Sequence, residues 1–465
     1  MSQTTPKENK MGVQPIGSLL AGMALPMMAG MLVQALYNVV DSVFVSHLSE
    51  NALTAVSLAF PVQNLMIAVS VGTAIGVNAL VSRCLGEKQF EQADRTANNG
   101  ILLALCSTVL FMLFGIFGTD MFFSKQVSDP EIMTYGIQYT FIVCVFSQGL
   151  FLQIMLEKLL NSTGKTVYSM LLQLAGAVIN IILDPILIFG LFGLPALGVA
   201  GAALATVIGQ WGAAAIGLLF NVTKNKELHF GLRQMRPDGQ VICRIYAIAA
   251  PSIAMQSVGS IMVFGMNRIL LAFTSTAAAV FGVYFKLQSF IFMPVFGLNS
   301  SIVPIVSYNY GAHKPERMVG TIKMGMLWAS CIMLAGFAAF QLAPTWLLEL
   351  FDASPTMLAL GVPALRIISV SFLMAGINIV ASSVFQALGH GVLSLWISAG
   401  RQLAALLPLA WLLSLTGNLD LVWLAFPGSE LLAIAMSAMF LRRVYREAIQ
   451  PMLDGDKPQG PELER

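Results

Sequence analysis

Apolar positions along the chain fall into twelve long runs separated by short polar segments. A helix needs roughly twenty apolar residues to cross a bilayer. Membrane helices are therefore predicted at 16–47, 51–82, 93–124, 132–161, 165–192, 197–222, 241–274, 276–307, 316–346, 355–386, 391–416 and 421–443. The 465-residue chain is 57% hydrophobic and only 10% charged, whereas soluble domains are about 25% charged. The pattern predicts an all-α integral membrane protein.

The second half of the sequence repeats the first at a fixed spacing, 251 − 26 = 225 residues. Without a gap, this shift aligns the identical pairs Pro26/Pro251, Phe60/Phe285, Gln63/Gln288, Ser82/Ser307, Gly86/Gly311, Gly100/Gly325, Gly164/Gly389 and Ser169/Ser394. Each half holds six predicted spans, an even number, so both halves enter the membrane in the same direction. Two six-helix lobes related by a parallel internal repeat are expected, an architecture used by alternating-access transporters.

The basic residues predict how the chain is oriented. Of the 25 Lys and Arg residues, four lie within spans and Lys125 lies on one side, which leaves 25 − 4 − 1 = 20 on the other side. Because cytoplasmic segments carry the excess of Lys and Arg, both termini are predicted to be cytoplasmic in a plasma-membrane protein. The predicted domains are a tail (1–15), an N-lobe (16–222), a linker (223–240), a C-lobe (241–443) and a second tail (444–465).

The first predicted span carries an acid, Asp41, in an otherwise apolar segment. An ionisable group inside a membrane is costly and by default marks an ion or substrate pathway. On a helix, Gln34, Tyr37 (or Asn38) and Asp41 fall on one stripe. Pro26 removes a backbone hydrogen bond about four turns earlier and gives the helix a place to bend. The alternative is a buried acid with a purely structural role.

The fifth span holds Asn180 and Asp184 one turn apart on one face. Asp41 and Asp184 lie six to eight residues from the outer ends of their spans, which places both about 10 Å inside the outer boundary. Two carboxyl groups at one depth can share a proton. Alternatively, they can coordinate sodium with oxygens from Asn180, Gln34 or Thr206. Asp184 has a structural alternative too, because the following proline loosens backbone groups that its side chain can satisfy.

The remaining charges within the spans are less specific. Glu157 lies beside Lys158 near a span end, where structural and functional roles are equally plausible. In the C-lobe, Glu430 lies at a depth similar to Lys286 and Arg366, which predicts an ion pair or network, since unpaired buried charges are very costly. Arg401 is counted with this C-lobe charge network, although no acidic partner for it is evident in the sequence. The repeat counterparts of Asp41, Asn180 and Asp184 are Met266, Ala405 and Leu409, so the acidic site is expected in the N-lobe alone.

Several function classes are disfavoured by the composition. The net charge is only +2 and no basic stripe occurs, so no nucleic-acid partner is expected. The five cysteines and four histidines show no metal-ligand spacing, and no cofactor is predicted beyond H⁺ or Na⁺. A membrane prenyl transferase would need paired Asp-rich motifs, and a channel would need a ring of equivalent polar residues. A non-enzymatic transporter is favoured.

The runs LPMMAGMLVQALYNVVDSVFVSHL, LLNSTGKTVYSMLLQLAGAVINIILDP, SYNYGAHKPER and FQALGHG resemble the multidrug and toxic compound extrusion (MATE) family. The resemblance extends over roughly residues 15–445, in order. Within the family, the chain is most similar to the bacterial and archaeal branch with an N-lobe acidic site, which includes proteins of the MepA kind.

This resemblance implies a V-shaped pair of six-helix bundles that exports small cationic or amphipathic compounds, driven by inward proton or sodium flow. It places the family's cation site, a possible Na⁺ site, on Asp41, Asn180 and Asp184, with Thr206 as a further ligand and Gln34 nearby. It also associates bending at Pro26 with protonation.

The chain departs from the family pattern at two places. Arg268 and Lys286 are the charged residues where some members carry a C-lobe acid, and Glu157 stands where relatives often have Asn. The basic C-lobe leaves open an alternative cargo, a lipid-linked oligosaccharide or another anionic amphiphile moved by a flippase. A small-molecule substrate, a bilayer environment and a monomer are expected, since one chain holds both lobes.

Overall fold

The computed structural model describes residues 8–46, 48–193, 195–231 and 236–454. Helices account for every predicted span in this part of the chain, and no strand occurs among the described residues. The predicted tails and the predicted linker lie partly outside the described residues, at 1–7, 232–235 and 455–465.

The helices of the first half are α1 (Lys10–Val13), α2 (Ile16–Ser46), α3 (Glu50–Gly86), α4 (Phe90–Phe117), α5 (Thr119–Ser124), α6 (Pro130–Val145), α7 (Gln148–Ser162), α8 (Thr166–Phe189) and α9 (Val199–Lys224). Those of the second half are α10 (Gly239–Leu271), α11 (Ser275–Gly311), α12 (Pro315–Leu342), α13 (Pro344–Glu349), α14 (Pro355–Ser369), α15 (Phe372–Ala387), α16 (Gly391–Ala399), α17 (Leu407–Ser414), α18 (Leu419–Trp423), α19 (Ala425–Val444) and α20 (Gln450–Leu453). The segments Gly400–Leu406 and Tyr445–Ile449 are π-helical.

Ten segments of the described chain are long and apolar enough to cross a membrane as continuous spans. Two further spans are broken: α6 and α7 meet at 46°, and α14 and α15 meet at 49°. The twelve predicted spans are thus confirmed, but the fourth and tenth are bent instead of straight. At the first bend, the N–H of Ser147 bonds to the carbonyl of Cys144 at 3.3 Å, a turn contact that ends α6.

The repeat seen in the sequence is present in the contacts. The Ser82 hydroxyl donates to the carbonyl of Ser162 at 3.0 Å. In the second half, the Ser307 hydroxyl donates to the carbonyl of Ala387 at 2.8 Å, and both residues are shifted by 225. Backbone geometry repeats as well, with positive φ at the pairs Gly164/Gly389 and Lys88/His313. The two halves therefore share one internal architecture.

The helices pack into two compact units. One comprises Ala29–Ile253, and the other comprises Met1–Met28 together with Ala254–Arg465. The boundaries fall inside α2 and α10, each two residues after a proline, Pro26 and Pro251. The predicted lobes each contain one of these helices in full, whereas the compact units divide both helices between them. The order of the helices along the chain does not determine which half of a long helix packs against which neighbours.

The segment that precedes α2, which we call the N-terminal segment (residues 8–15), is fixed to α11 and α12. Asn309 Nδ2 donates to the carbonyl of Met11 at 3.0 Å. The Arg317 guanidinium donates to the carbonyls of Met11 and Gln14 at 3.0 and 2.6 Å. The Met11 side chain is fully buried. These contacts hold the N-terminal segment against α11 and α12.

Candidate functional site

Asp41 on α2 and Asp184 on α8 lie together in the Ala29–Ile253 unit. Their carboxyl groups lie close enough to share a hydrogen bond. Asp184 is 0% exposed, and Oδ1 of Asp41 is buried without a hydrogen-bond partner among the described atoms. A carboxylate can only accept, so a bond between two carboxyl groups needs one proton. We call these two residues the aspartate pair.

Asn180 and Thr206 complete the surroundings of the pair. The Asn180 amide lies 3.4 Å from Asp184 Oδ1 and 3.4 Å from Thr206 Oγ1. Turning the amide over satisfies both of its ends: nitrogen then donates to Asp184 Oδ2 at 3.2 Å and oxygen accepts from the Thr206 N–H at 3.2 Å. The Thr206 hydroxyl also donates to the carbonyl of Ala202 at 3.0 Å. The site thus offers carboxyl, amide and hydroxyl oxygens within a short distance.

The local sequence explains this arrangement. Asn180 and Asp184 are one turn apart on α8, so their side chains point the same way. Pro185 lies inside α8, which nevertheless continues to Phe189. Gly190 then ends the helix with a left-handed backbone, φ 73°, a conformation that glycine adopts without strain.

A polar cavity of ≈ 40 Å³ lies next to the residues that surround the pair. Beside Asn180 and Thr206, its lining includes Gln34, Tyr37, Gln153, Gln173 and Gln210. A water molecule needs roughly 10–15 Å³ of such volume and two to four polar partners, so the cavity has room for water. The side-chain oxygens of Gln153, Gln173 and Gln210 are buried without a partner among the described atoms, as expected of groups that bond to water.

The close approach of α2 to α8 depends on Gly30. A Cβ atom at this position would lie 2.1 Å from Gln173 Oε1 and 3.7 Å from the Cα of Met170. Any side chain here would push Gln173 out of its place beside the cavity. Gly30 therefore allows α2 to bring Gln34, Tyr37 and Asp41 to the site.

The structure adds residues that the sequence analysis missed. Gln173 and Gln210 are each the one glutamine of an apolar span, and Gln153 is one of three in the fourth span. Tyr139 accepts a hydrogen bond from Gln63 at 2.9 Å. A signal existed for Gln173, which precedes Asn180 by seven residues and so shares its helix face. Gln210 likewise follows Thr206 by four residues on α9.

Other predicted residues of this half lie apart from the cavity. Glu157 is 5% exposed and pairs with its neighbour Lys158, whose Nζ lies 3.2 Å from Glu157 Oε1; neither residue lines the cavity. Pro26 lies inside α2, which is helical throughout.

The structure brings together only part of the charge network predicted in the second half. Arg401 bonds to Glu430. Lys286 is exposed, with its Nζ 5.9 Å from the ring centre of Phe351, and Arg366 is exposed at the end of α14. Neither pairs with an acid among the described residues. Similar depth placed them together in the prediction, but depth does not specify the helix face.

The donor set of the aspartate pair suits a hard monovalent cation or a proton. Carboxylate, amide and hydroxyl oxygens are ligands for hard cations, whereas imidazole and thiolate bind transition metals. No group of three or more His, Cys, Asp or Glu residues that could hold a metal occurs in the described ranges. The aspartate pair and its neighbours therefore offer only oxygen donors and amide and hydroxyl groups, the groups that a proton or a hard cation uses.

Named transporters are similar to this chain in sequence over most of its length. Multidrug export protein MepA of Staphylococcus haemolyticus is 28% identical over 402 residues, covering 86% of this chain and 88% of the relative. An FAD transporter of Shewanella oneidensis is 26% identical over 431 residues, covering 90% and 92%.

Solved structures show the same fold. An outward-facing MATE family transporter of the MOP superfamily superimposes with a TM-score of 0.90 at 24% identity, covering 97% of this chain and 100% of that one. A Pyrococcus furiosus transporter of the same superfamily, described as having a binding pocket of reverse polarity, gives 0.89 at 25% identity, with 97% and 100% covered.

The sequence model of the MatE family matches residues 26–186 and 247–412, one segment in each half. The matched segments contain most of the helices that form the twelve spans, and they include Asp41 and Asp184. The chain therefore belongs to the MatE family and is a multi-pass membrane transporter, not an enzyme.

Proposed function

We propose that the protein is a multidrug efflux antiporter that exports small amphipathic or cationic compounds, driven by inward movement of protons or sodium through the aspartate pair. Membership of the MatE family and the MepA relatives named for multidrug export support the export of such compounds. The geometry of Asp41 and Asp184 supports the coupling.

The observation that carries this proposal is that two buried carboxyl groups lie close enough to share a hydrogen bond. Two ionised carboxylates that lie side by side repel strongly, and burial penalises each charge further. The pair is therefore stable with one shared proton, or with a cation between the two groups. Release of that ion leaves two repelling charges, so the occupied and empty states differ in energy and favour different arrangements.

Sodium fits the same position. Carboxyl oxygens of Asp41 and Asp184 supply hard ligands, the Asn180 amide and the Thr206 hydroxyl lie beside them, and the nearby cavity has room for completing waters. The unpartnered Oδ1 of Asp41 is available for this purpose. Protonation and sodium binding would neutralise the pair in the same way, so either ion serves the mechanism.

The first membrane helix links the ion to the rest of the molecule. Asp41 and Pro26 lie on α2, and the boundary between the two compact units follows Pro26 by two residues. Proline removes the hydrogen bond that the carbonyl of Gly22 would otherwise accept, which makes bending here inexpensive. Ion binding at Asp41 changes the equilibrium between arrangements of α2, and substrate affinity changes reciprocally.

The remaining assignments follow the charge pattern of the sequence. The excess of Lys and Arg on one side supports cytoplasmic termini, and the bacterial relatives support location in the cell membrane. A single chain contains both halves, which supports a functional monomer.

Loss of one carboxylate tests the proposal. In cells that express Asp41→Asn at wild-type level, efflux of a cationic dye should fall to that of cells without the transporter. Asp120→Asn, an exposed acid at the start of α5, is the matched control and should export normally. Wild-type efflux by folded Asp41→Asn would refute the coupling role of the pair.

A further inference from the structure

The second half contains a counterpart of the polar cavity, occupied by charged side chains. Arg401 is the repeat equivalent of Gly176, since 401 − 176 = 225, and Asn378 is the equivalent of Gln153, since 378 − 153 = 225. Gly176 and Gln153 both line the cavity of the first half. The corresponding place in the second half therefore holds a guanidinium group and an amide.

These groups converge on one acid. Arg401 donates through NH1 to Glu430 Oε1, and Asn378 Nδ2 donates to Glu430 Oε2 at 2.7 Å. The Glu430 side chain is only 5% exposed, whereas that of Arg401 is 28% exposed. Glu430 thus holds Arg401 from the buried side and leaves part of the guanidinium accessible.

The cluster has unused hydrogen-bonding capacity. A guanidinium has five N–H donors, and within the described chain Arg401 uses them only for the bond to Glu430. Asn378 is 4% exposed, and its Oδ1 is buried without a partner among the described atoms. Such a buried acceptor costs free energy unless water or a ligand donates to it.

The backbone that carries Arg401 is also unusual. Residues Gly400–Leu406 form a π-helical segment between α16 and α17, whereas α8 continues as an α-helix through the equivalent positions. π-Helical turns are rare and frequently lie at functional sites. The second half therefore departs from the repeat in backbone, charge and hydrogen bonding at one place.

We propose that Arg401, held by Glu430 and Asn378, is a binding site for the carboxylate or phosphate group of an anionic amphiphile that the protein transports. This proposal rests on the proposed export function and adds a substrate class to it. The free N–H groups of a guanidinium match the geometry of carboxylate and phosphate oxygens, which they bind in pairs. The Asn378 oxygen accepts a hydrogen bond from a donor on the ligand or from a bridging water.

The charge of the cluster limits the affinity. Arg401 and Glu430 together are neutral, so a bound anion adds one net charge to a poorly solvated place. Binding is therefore modest, which suits a transporter because the substrate must leave again. The same reasoning predicts that removing the Glu430 charge strengthens anion binding.

The test measures equilibrium binding of carboxyfluorescein to the purified full-length protein in detergent by fluorescence anisotropy. Arg401→Gln should weaken binding at least about tenfold, the loss of a charge-assisted bond. Glu430→Gln, which keeps the side-chain shape, should tighten it. Arg366→Gln, an exposed arginine of the same unit, is the control and should bind like wild type.

Opposite effects of the Arg401 and Glu430 variants separate anion binding from packing, since a structural role predicts that both variants weaken binding. Absence of saturable binding by wild type, or equal losses in both variants, would overturn the proposal. Cationic dye efflux by the Arg401→Gln variant is measured in parallel, so a failure of the export function is recognised separately. Competition by short-chain phosphatidylglycerol would assign the site to a lipid headgroup, and its absence would assign it to a soluble anion; both results support an anion site.

Discussion

Replacement of Asn180 by alanine is the change whose effect can be worked out most directly from the structure. The Asn180 amide lies within 3.4 Å of both Asp184 and Thr206. A hydrogen bond to a charged group contributes about 1.5–3 kcal/mol, which corresponds to about 10- to 150-fold in an equilibrium constant. Alanine is compatible with this helix position, because Asn180 lies within α8 and alanine has the highest helix propensity.

The assay is gradient-driven dye transport in proteoliposomes as a function of ion concentration. If sodium is the coupling ion, Asn180→Ala removes the hydrogen bond that holds Asp184 in place, and the half-maximal sodium concentration rises by about 10- to 150-fold. If the proton is the coupling ion, the amide no longer stabilises the ionised pair, and half-maximal transport moves to higher pH. Thr206→Ser keeps the hydroxyl and is the matched control. The reasoning would be refuted if folded Asn180→Ala reached half-maximal transport at an ion concentration within about twofold of the wild-type value, which is less than the predicted change.

Three further changes test other parts of the account. Gly30→Ala should slow dye transport, because its methyl group displaces Gln173 beside the cavity. Gly22→Ala, whose methyl group meets no atom within 4 Å, should transport at the wild-type rate. Equal dye transport rates of the two variants would contradict this prediction. Arg317→Ala should release the N-terminal segment, so trypsin should cleave after Lys10 faster than in wild type. An unchanged cleavage rate would contradict the predicted role of Arg317 in holding this segment. Ser82→Ala and Ser307→Ala should each destabilise the protein by about 1–2 kcal/mol, measured by thermal unfolding in detergent, and a clear difference between them would contradict the equivalence of the two halves.

Most of the fold could be predicted from the sequence because length and hydropathy determine a membrane helix almost alone. The bends between α6 and α7 and between α14 and α15 could not, since no proline or glycine occupies the bend residues. The π-helical segment at Gly400–Leu406 also has no simple sequence signal.

The acidic residues of the candidate site could be predicted from the sequence, because an acid inside a membrane span is costly and therefore rare. Asp41, Asp184 and their neighbour Asn180 stood out in apolar spans, and the structure places them together. The close approach of the carboxyl groups needed coordinates, because depth along a helix does not specify which side chains meet. The cavity glutamines were missed because an isolated amide in a span indicates no chemistry. Only the packing of the helices shows that several amides line one cavity.

The same limitation applies to the charges of the second half. Depth predicted that Glu430 pairs with Lys286 or Arg366, whereas the structure pairs it with Arg401, for which the sequence indicated no acidic partner. Asn378 joins them through an interhelical contact that no periodicity indicates. Helix periodicity describes one helix at a time, whereas these contacts depend on how three helices pack.

The central claim is that the aspartate pair carries the coupling ion. Purified protein in proteoliposomes, supplied with a fluorescent cationic dye, is exposed separately to a pH gradient and a sodium gradient. The account predicts that dye moves against its gradient in response to one of the two ions, and that Asp41→Asn and Asp184→Asn both lose this movement while remaining folded. Ion-driven transport at the wild-type rate by either folded variant would contradict it.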